Sequence, residues 1–351
     1  MNLDRKYSLI EEELRIGVKT LATSSNLANE RATAMAELVR LTSLLPPSNM
    51  TRWEYVIRRE LSSSIHTLAA IKKNKWWSLF SLSAERVERT RILSWIDLAD
   101  ANGYVRERTL RTLAGAAPNS FFFALAARRL NDWVPQVRSA AREAVPEIAR
   151  VTAPEHVADA ICALLPAWSS WGRMDEPDSQ TVLNLIAIKD VAPELIDRLI
   201  SSPMGPMPQA LTQILRTSIL DEHLMAIAMR AVQPAVRAKA YRTLLLQEAT
   251  WGEGARWRWT DVRYCKGRVE KIRGIRPLTI APVLVDVLKA AASDRSSIVR
   301  GVASEALVRE MNTVGIPTLD LARRFAEDVS SPVAERGKFV LKKLGENPIS
   351  T

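Results

Sequence analysis

A Val-Arg pair returns along this chain at a nearly fixed interval. Val105-Arg106, Val137-Arg138, Val236-Arg237 and Val299-Arg300 each follow a turn and open a run with helical spacing of apolar residues. Arg106 to Arg138 is 32 residues, Arg138 to Arg237 is 99 (three times 33) and Arg237 to Arg300 is 63. A fifth heading, Ser330-Ser331-Pro332-Val333, lacks the arginine and sets Ala334 34 residues beyond Arg300. A period in the thirties with helical pairs between turns is the mark of a helical solenoid. A lone pair of helices cannot bury its apolar face, so neighbouring pairs must stack into a continuous core.

The clearest unit is Asn131 to Ala149. Val137, Ala140, Ala141, Ala144, Val145 and Ile148 line one helical face, and Pro135 sits near the helix start, where its missing N–H costs nothing. Helical pairs are predicted at 119–130 with 134–149, at 192–201 with 208–218 and at 221–230 with 234–248. A helix from Thr152-Ala-Pro-Glu155, read as a capping box, runs to Leu165, and its partner near 178–188 follows an irregular loop. A further helix is predicted over roughly 85–100.

The first 80 residues fit the lattice less well. Leu9, Leu14, Val18 and Leu21 predict one buried helix face, and Ala32, Met35, Ala36, Val39 and Leu44 a second. Thr51 and Glu54 read as a capping box before a helix that buries Trp53, Ile57, Leu61, Ile65 and Leu68. That helix ends in Lys72-Lys73-Asn74-Lys75-Trp76-Trp77, whose cations suit a helix C-terminus.

The headings resemble those of HEAT repeats, two-helix units of the armadillo-like class whose second helix opens Asp-x-x-Pro-x-Val-Arg-x-x-Ala. Asp132-Trp-Val-Pro135-Gln-Val137-Arg138-Ser-Ala140 is close to that pattern. Val232-Gln-Pro234-Ala-Val236-Arg237 lacks the aspartate, Asp294 to Ala303 lacks the proline, and Asp328 to Val333 lacks the arginine. The resemblance covers about 85–345 and implies an all-α fold, a right-handed α-solenoid of stacked antiparallel helix pairs with roughly eight or nine repeats. It divides the chain into degenerate helical pairs over 1–80 and a HEAT-like solenoid over 81–351. It also implies that Asp132, Arg138, Arg237, Asp294 and Arg300 form a structural ladder rather than a catalytic set.

Composition narrows the function. The 351 residues are 47% hydrophobic and 25% charged, with 49 Lys and Arg against 39 Asp and Glu, a net charge of +10. That excess favours anionic partners. Cys162 and Cys265 are isolated, so neither a disulfide framework nor a zinc site is expected, and a reducing cytoplasm fits. No secretory signal and no membrane span is expected. His66, His156 and His223 are scattered without a second ligand at i+4, and no glycine-rich phosphate loop or nucleophile elbow occurs. No metal, cofactor or catalytic residue is therefore expected. Asp175-Glu176-Pro-Asp178 reads as the opening of a helix.

One stretch leaves the lattice. Residues 249–278 read as a basic, tryptophan-rich loop insertion. Between Trp251 and Arg276 it holds eight basic and three acidic residues, half the chain's net charge. Arg256, Trp257, Arg258, Trp259, Arg263, Tyr264, Lys266, Arg268 and Arg273 are the candidate partner-binding residues. Arginine forks suit phosphates or carboxylates, while tryptophan stacks on a base or anchors a protein contact. The alternative is a loop folded back on its own solenoid. The first functional expectation is a non-enzymatic scaffold that binds a protein or peptide through its concave face and this loop. The alternative is a nucleic-acid-binding solenoid of the HEAT-like DNA glycosylase type, in which Trp259 with Asp261, or Trp95 with Asp97, imitates a tryptophan–aspartate pair.

Overall fold

The computed structural model of the chain describes residues 3–24, 28–45, 49–73, 93–312 and 317–345. These residues form 16 α-helices and one small antiparallel sheet, so the protein is predominantly helical. The chain separates into two compact units, Met1–Leu164 with Ser170–Leu185, and Leu165–Ser169 with Ile186–Thr351. No helix among the described residues is long and apolar enough to cross a membrane.

The first unit contains α1 (Leu3–Thr23), α2 (Ala28–Ser43), α3 (Met50–Lys73), α4 (Gly103–Thr112), α5 (Ser120–Ala127), α6 (Pro135–Val151) and α7 (Pro154–Leu164), followed by α8 (Glu176–Ile186). The second contains α9 (Ala192–Ser201), α10 (Met207–Ile214), α11 (Leu224–Arg230) and α12 (Pro234–Leu246). Strands β1 (Glu248–Asp261) and β2 (Lys266–Pro277) come next, then α13 (Leu284–Ala292), α14 (Ser297–Glu310), α15 (Pro317–Ala326) and α16 (Ser331–Lys343).

Alternate helices pack on one another. In the first unit α4 lies on α6 and α5 on α7. In the second, α10, α12, α14 and α16 pack in succession, as do α9 on α11 and α13 on α15. This order is compatible with a helical repeat, and α6 shows its local cause. Val134 is extended, Pro135 occupies the first turn, and Val137, Ala140, Ala141, Val145 and Ile148 are buried along one face.

The arginine of each heading has one role. Arg106 donates from Nε and Nη2 to the Asp132 carboxylate at 2.9 and 2.7 Å, and both side chains are 1% exposed. Its Nη1 donates to the carbonyls of Asp100 and Ala101, in its own turn. Arg237 repeats this with Asp294 at 2.8 and 2.9 Å and with the carbonyls of Ala231 and Val232. Arg300 repeats it with Asp328 and with the carbonyls of Asp294 and Arg295. Arg138 reaches Asp178 at 3.2 Å and the carbonyl of Asp132. Asp132, Asp294 and Asp328 each also accept the backbone N–H two residues further on. Each arginine thus closes its own turn and ties it to a later one, satisfying donors that would be costly to bury unpaired.

Several expectations need correction. The fold is not all-α, because 248–277 contain the two strands. The buried face of α2 is Arg31, Ala34, Leu38, Leu41 and Thr42, while Ala32 and Ala36, and Leu44 just past its end, are exposed. Two stripes of that helix carry apolar residues, and packing against α1 and α5 selects the one the sequence reading passed over. Leu9 is likewise exposed, beside buried Ile10. Glu54 is not a capping residue: it is buried and accepts hydrogen bonds from Arg58, Arg128 and Arg129. Burial pushes its carboxyl up, but the charges of Arg129, Arg128 and Arg58 outweigh this and hold its pKa at about 2. The Thr152 hydroxyl donates to the Ile148 carbonyl and accepts the Ala117 amide, and α7 starts at Pro154. The described end of the helix expected over 85–100 is a single 3-10 turn, Trp95–Ala99, and the rest, up to residue 92, lies outside the described residues. Asn74 to Trp77 lie outside them too.

Candidate interaction ribbon

The stretch read as a loop is an antiparallel β-ribbon. Its register pairs Trp257 with Val269, Trp259 with Gly267, Arg256 with Glu270 and Arg258 with Arg268. Apolar and basic residues alternate along β1, which is the period of a strand. Directly paired residues point to the same side, so the ribbon has two chemically different faces. One carries Trp257, Trp259, Val269, Lys271 and Arg273, and the other Arg256, Arg258, Arg268 and Glu270.

On the first face Trp257 meets Trp259 edge to face, with ring centroids 5.6 Å apart. The Trp257 indole lies across Gly267, where a Cβ atom would stand 2.5 Å from it. Only glycine permits that contact without displacement. On the second face Arg258 and Arg268 stand directly opposite, a like-charge pair that destabilises a ribbon unless compensated. Glu270 supplies the compensation, with Arg258 at 3.1 Å, Arg256 at 3.3 Å and Arg268 at 3.8 Å. The Arg258 hydrogen bond is the main reason its carboxyl is held below the ordinary range. Three guanidinium groups against one carboxylate leave this face cationic.

The ends of the ribbon are treated differently. Near the helices Ala249 is fully buried, and the Leu278 N–H donates to the Gln247 carbonyl at 3.0 Å, closing the insertion. Arg276 donates twice to Asp221 at 2.8 Å and also to the carbonyls of Leu215 and Thr217. Burial alone would raise the Asp221 pKa, yet its bonds from Arg276 and Thr279 hold it below normal. Arg216 lies 4.2 Å from the Trp168 ring centre and 5.5 Å from that of Trp251, and donates to the Gly252 carbonyl. At the far end Asp261 accepts the amides of Arg263 and Tyr264, and Lys266 lies 5.7 Å from the Tyr264 ring centre.

All nine candidate residues, Arg256, Trp257, Arg258, Trp259, Arg263, Tyr264, Lys266, Arg268 and Arg273, are exposed. The structure brings them together on one ribbon but divides them between two faces and a turn. Sequence reasoning missed the residues that lock the base, Asp221, Arg216 and Trp168, because their partners are 36 or more residues away and carry no shared motif.

The other candidates are dispersed. His66 and His223 are exposed and His156 is half-buried, and among the described residues no group of three or more metal-ligating side chains occurs. Asp97 accepts the amide and hydroxyl of Ser94, and Asp261 is engaged in the ribbon turn, so both carboxylates of the tryptophan–aspartate pairs have local structural work. Asp178 is fully buried, takes Arg138 and Arg142, and opens α8 together with Asp175. The chain matches none of the protein-family models and none of the curated proteins with which it was compared.

Proposed function

We propose that this protein is a HEAT-type α-solenoid scaffold that holds a protein partner, with the β-ribbon as its contact arm. The succession of alternate helices and the repeated arginine–aspartate tie support the solenoid reading. The observation that carries the binding reading is the contrast within the ribbon. Its base is fixed by Arg276 and Arg216, while Trp257 and Trp259 remain 51% and 53% exposed beyond it. Rigid aromatic side chains held out on a fixed element are the usual anchors of protein interfaces. The test uses the full-length protein as bait in extract of its source cells, beside a Trp257→Ala/Trp259→Ala variant, at several salt concentrations. A protein held by the parent and released by the variant is expected. An identical set on both removes the arm from the account, and no retained protein at any salt overturns the scaffold reading.

A second reading, a nucleic-acid-binding solenoid, is favoured by the three guanidinium groups on the other face. If they contact phosphates, the log–log salt slope of binding falls by about 0.9 for each phosphate neutralised. Replacing Arg256, Arg258 and Arg268 by alanine then flattens the slope, and an unchanged slope excludes this face.

A further inference from the structure

The tryptophan face of the ribbon does not end at its base. Thr250 and Arg273 belong to that face, and both also line a hollow of ≈ 250 Å³ between β1, α12 and α14. Arg242, Val302 and Glu305 lead from it into a larger hollow of ≈ 520 Å³ across α12, α14 and α16. Glu305 and Arg336 lead on to a third of ≈ 340 Å³ beside Phe339. One groove therefore runs from the ribbon across the three helices that open with the repeated headings.

The groove has a floor of small apolar residues, Ala235, Ala238, Gly301, Val302 and Val333. Its charges are unevenly matched. Glu305 is taken by Arg242 at 2.9 Å. Lys239 points its ammonium at the Thr250 carbonyl, 3.0 Å away, and among the described residues no carboxylate pairs with Lys239, Arg273 or Arg336. Burial, with a smaller contribution from Arg242, pulls the Lys239 pKa down, the mark of a cation lacking a compensating anion.

We propose that this groove holds an acidic segment of a partner protein, with its carboxylates on Lys239, Arg273 and Arg336 and apolar side chains on the alanine and glycine floor. This rests on the scaffold reading above and names the chemistry of the partner. A nucleic-acid backbone fits less well, because Glu248, Glu305 and Glu335 interrupt the row of cations and a polyphosphate would meet each of them. A peptide carries its acids at intervals and sets neutral side chains between them. Helices pack about 8–10 Å apart, so crossing three of them takes about six extended residues at about 3.3 Å each.

The probe is a fluorescein-labelled peptide of repeating Glu-Leu-Glu-Ser, about ten residues long, titrated into the full-length protein by anisotropy. Saturable binding is expected, absent for the same peptide with Lys in place of Glu, and weakened at least tenfold by Arg273→Glu with Arg336→Glu. Arg273 is exposed and Arg336 half-buried, and an unchanged circular dichroism spectrum and melting temperature certify the variant. No saturable binding, or equal binding by the variant, overturns the proposal. So does an oligothymidine of similar length that binds more tightly and is lost with the same two substitutions. Trp257→Ala/Trp259→Ala shares no residue with this variant. Loss of cellular partners from the tryptophan variant with peptide binding intact separates the arm from the groove, and the converse separates the groove from the arm.

Discussion

The helical body and the ribbon use the same ion pair for opposite purposes. Arg106 and Asp132 are each 1% exposed, and all three guanidinium nitrogens of Arg106 are hydrogen-bonded. Arg258 and Glu270 are 60% and 28% exposed, and the carboxylate is shared among three arginines. In the body the pair fixes one turn to the next, because a buried charge without its partner is expensive. On the ribbon the same groups are solvated, worth little to stability and open to a ligand. Residue type therefore says little about role here, and burial says most of it.

The largest effect is expected from Arg106→Ala. It removes two charged hydrogen bonds from buried Asp132, leaving Arg129 as its cationic partner, and two more from the carbonyls of Asp100 and Ala101, and is expected to cost about 3–5 kcal/mol in urea unfolding of the full chain. Arg258→Ala in the same assay should leave the midpoint unmoved, and equal losses at the two sites would abolish the distinction. Acid is the next lever. With its pKa held at about 2 against an ordinary 4.5, Glu54 contributes stability that is complete above about pH 4.5. That contribution disappears as the pH falls through 2. Its size is ~3 kcal/mol, and Glu54→Gln should remove this part of the acid dependence between those limits.

Arg276→Ala tests the seam between the two regions. Losing a charged hydrogen-bond set to buried Asp221 should cost about 2 kcal/mol and speed hydrogen exchange in the amides of β1 and β2, while those of α6 stay protected. The smallest effect is expected from Glu270→Gln. It removes the one carboxylate shared by the three arginines and should leave the melting temperature unchanged while making binding to any anionic partner more sensitive to salt.

The sequence carried the body better than the arm. The Val-Arg headings mark where helices open, and their arginines make the ties that the HEAT resemblance implied. Asp132 and Asp294 follow from the same pattern. Asp178 does not, since it lies 40 residues from Arg138, beyond an irregular loop, and reads locally as a helix-opening acid. The ribbon was legible only as a departure from helical spacing. Its alternation, Ala255, Trp257 and Trp259 against Arg256 and Arg258, is a strand signal, but two register shifts and a cation-rich partner strand obscure it. In α2 the buried stripe includes Arg31 and Thr42, so a count of apolar residues selects its neighbour. Nothing local announced the groove, because Lys239, Arg273 and Arg336 lie on three separate elements.

Arg106 meets Asp132 26 residues on and Arg300 meets Asp328 28 residues on, but Arg237 meets Asp294 across 57, with both strands lying between them. The tie forms with the same geometry in spite of the extra length, and the inserted segment leaves and returns through Gln247 and Leu278, which are hydrogen-bonded to each other. A different hairpin grafted between Gln247 and Leu278 is therefore expected to leave the Arg237–Asp294 tie, and with it the register of the framework, unchanged.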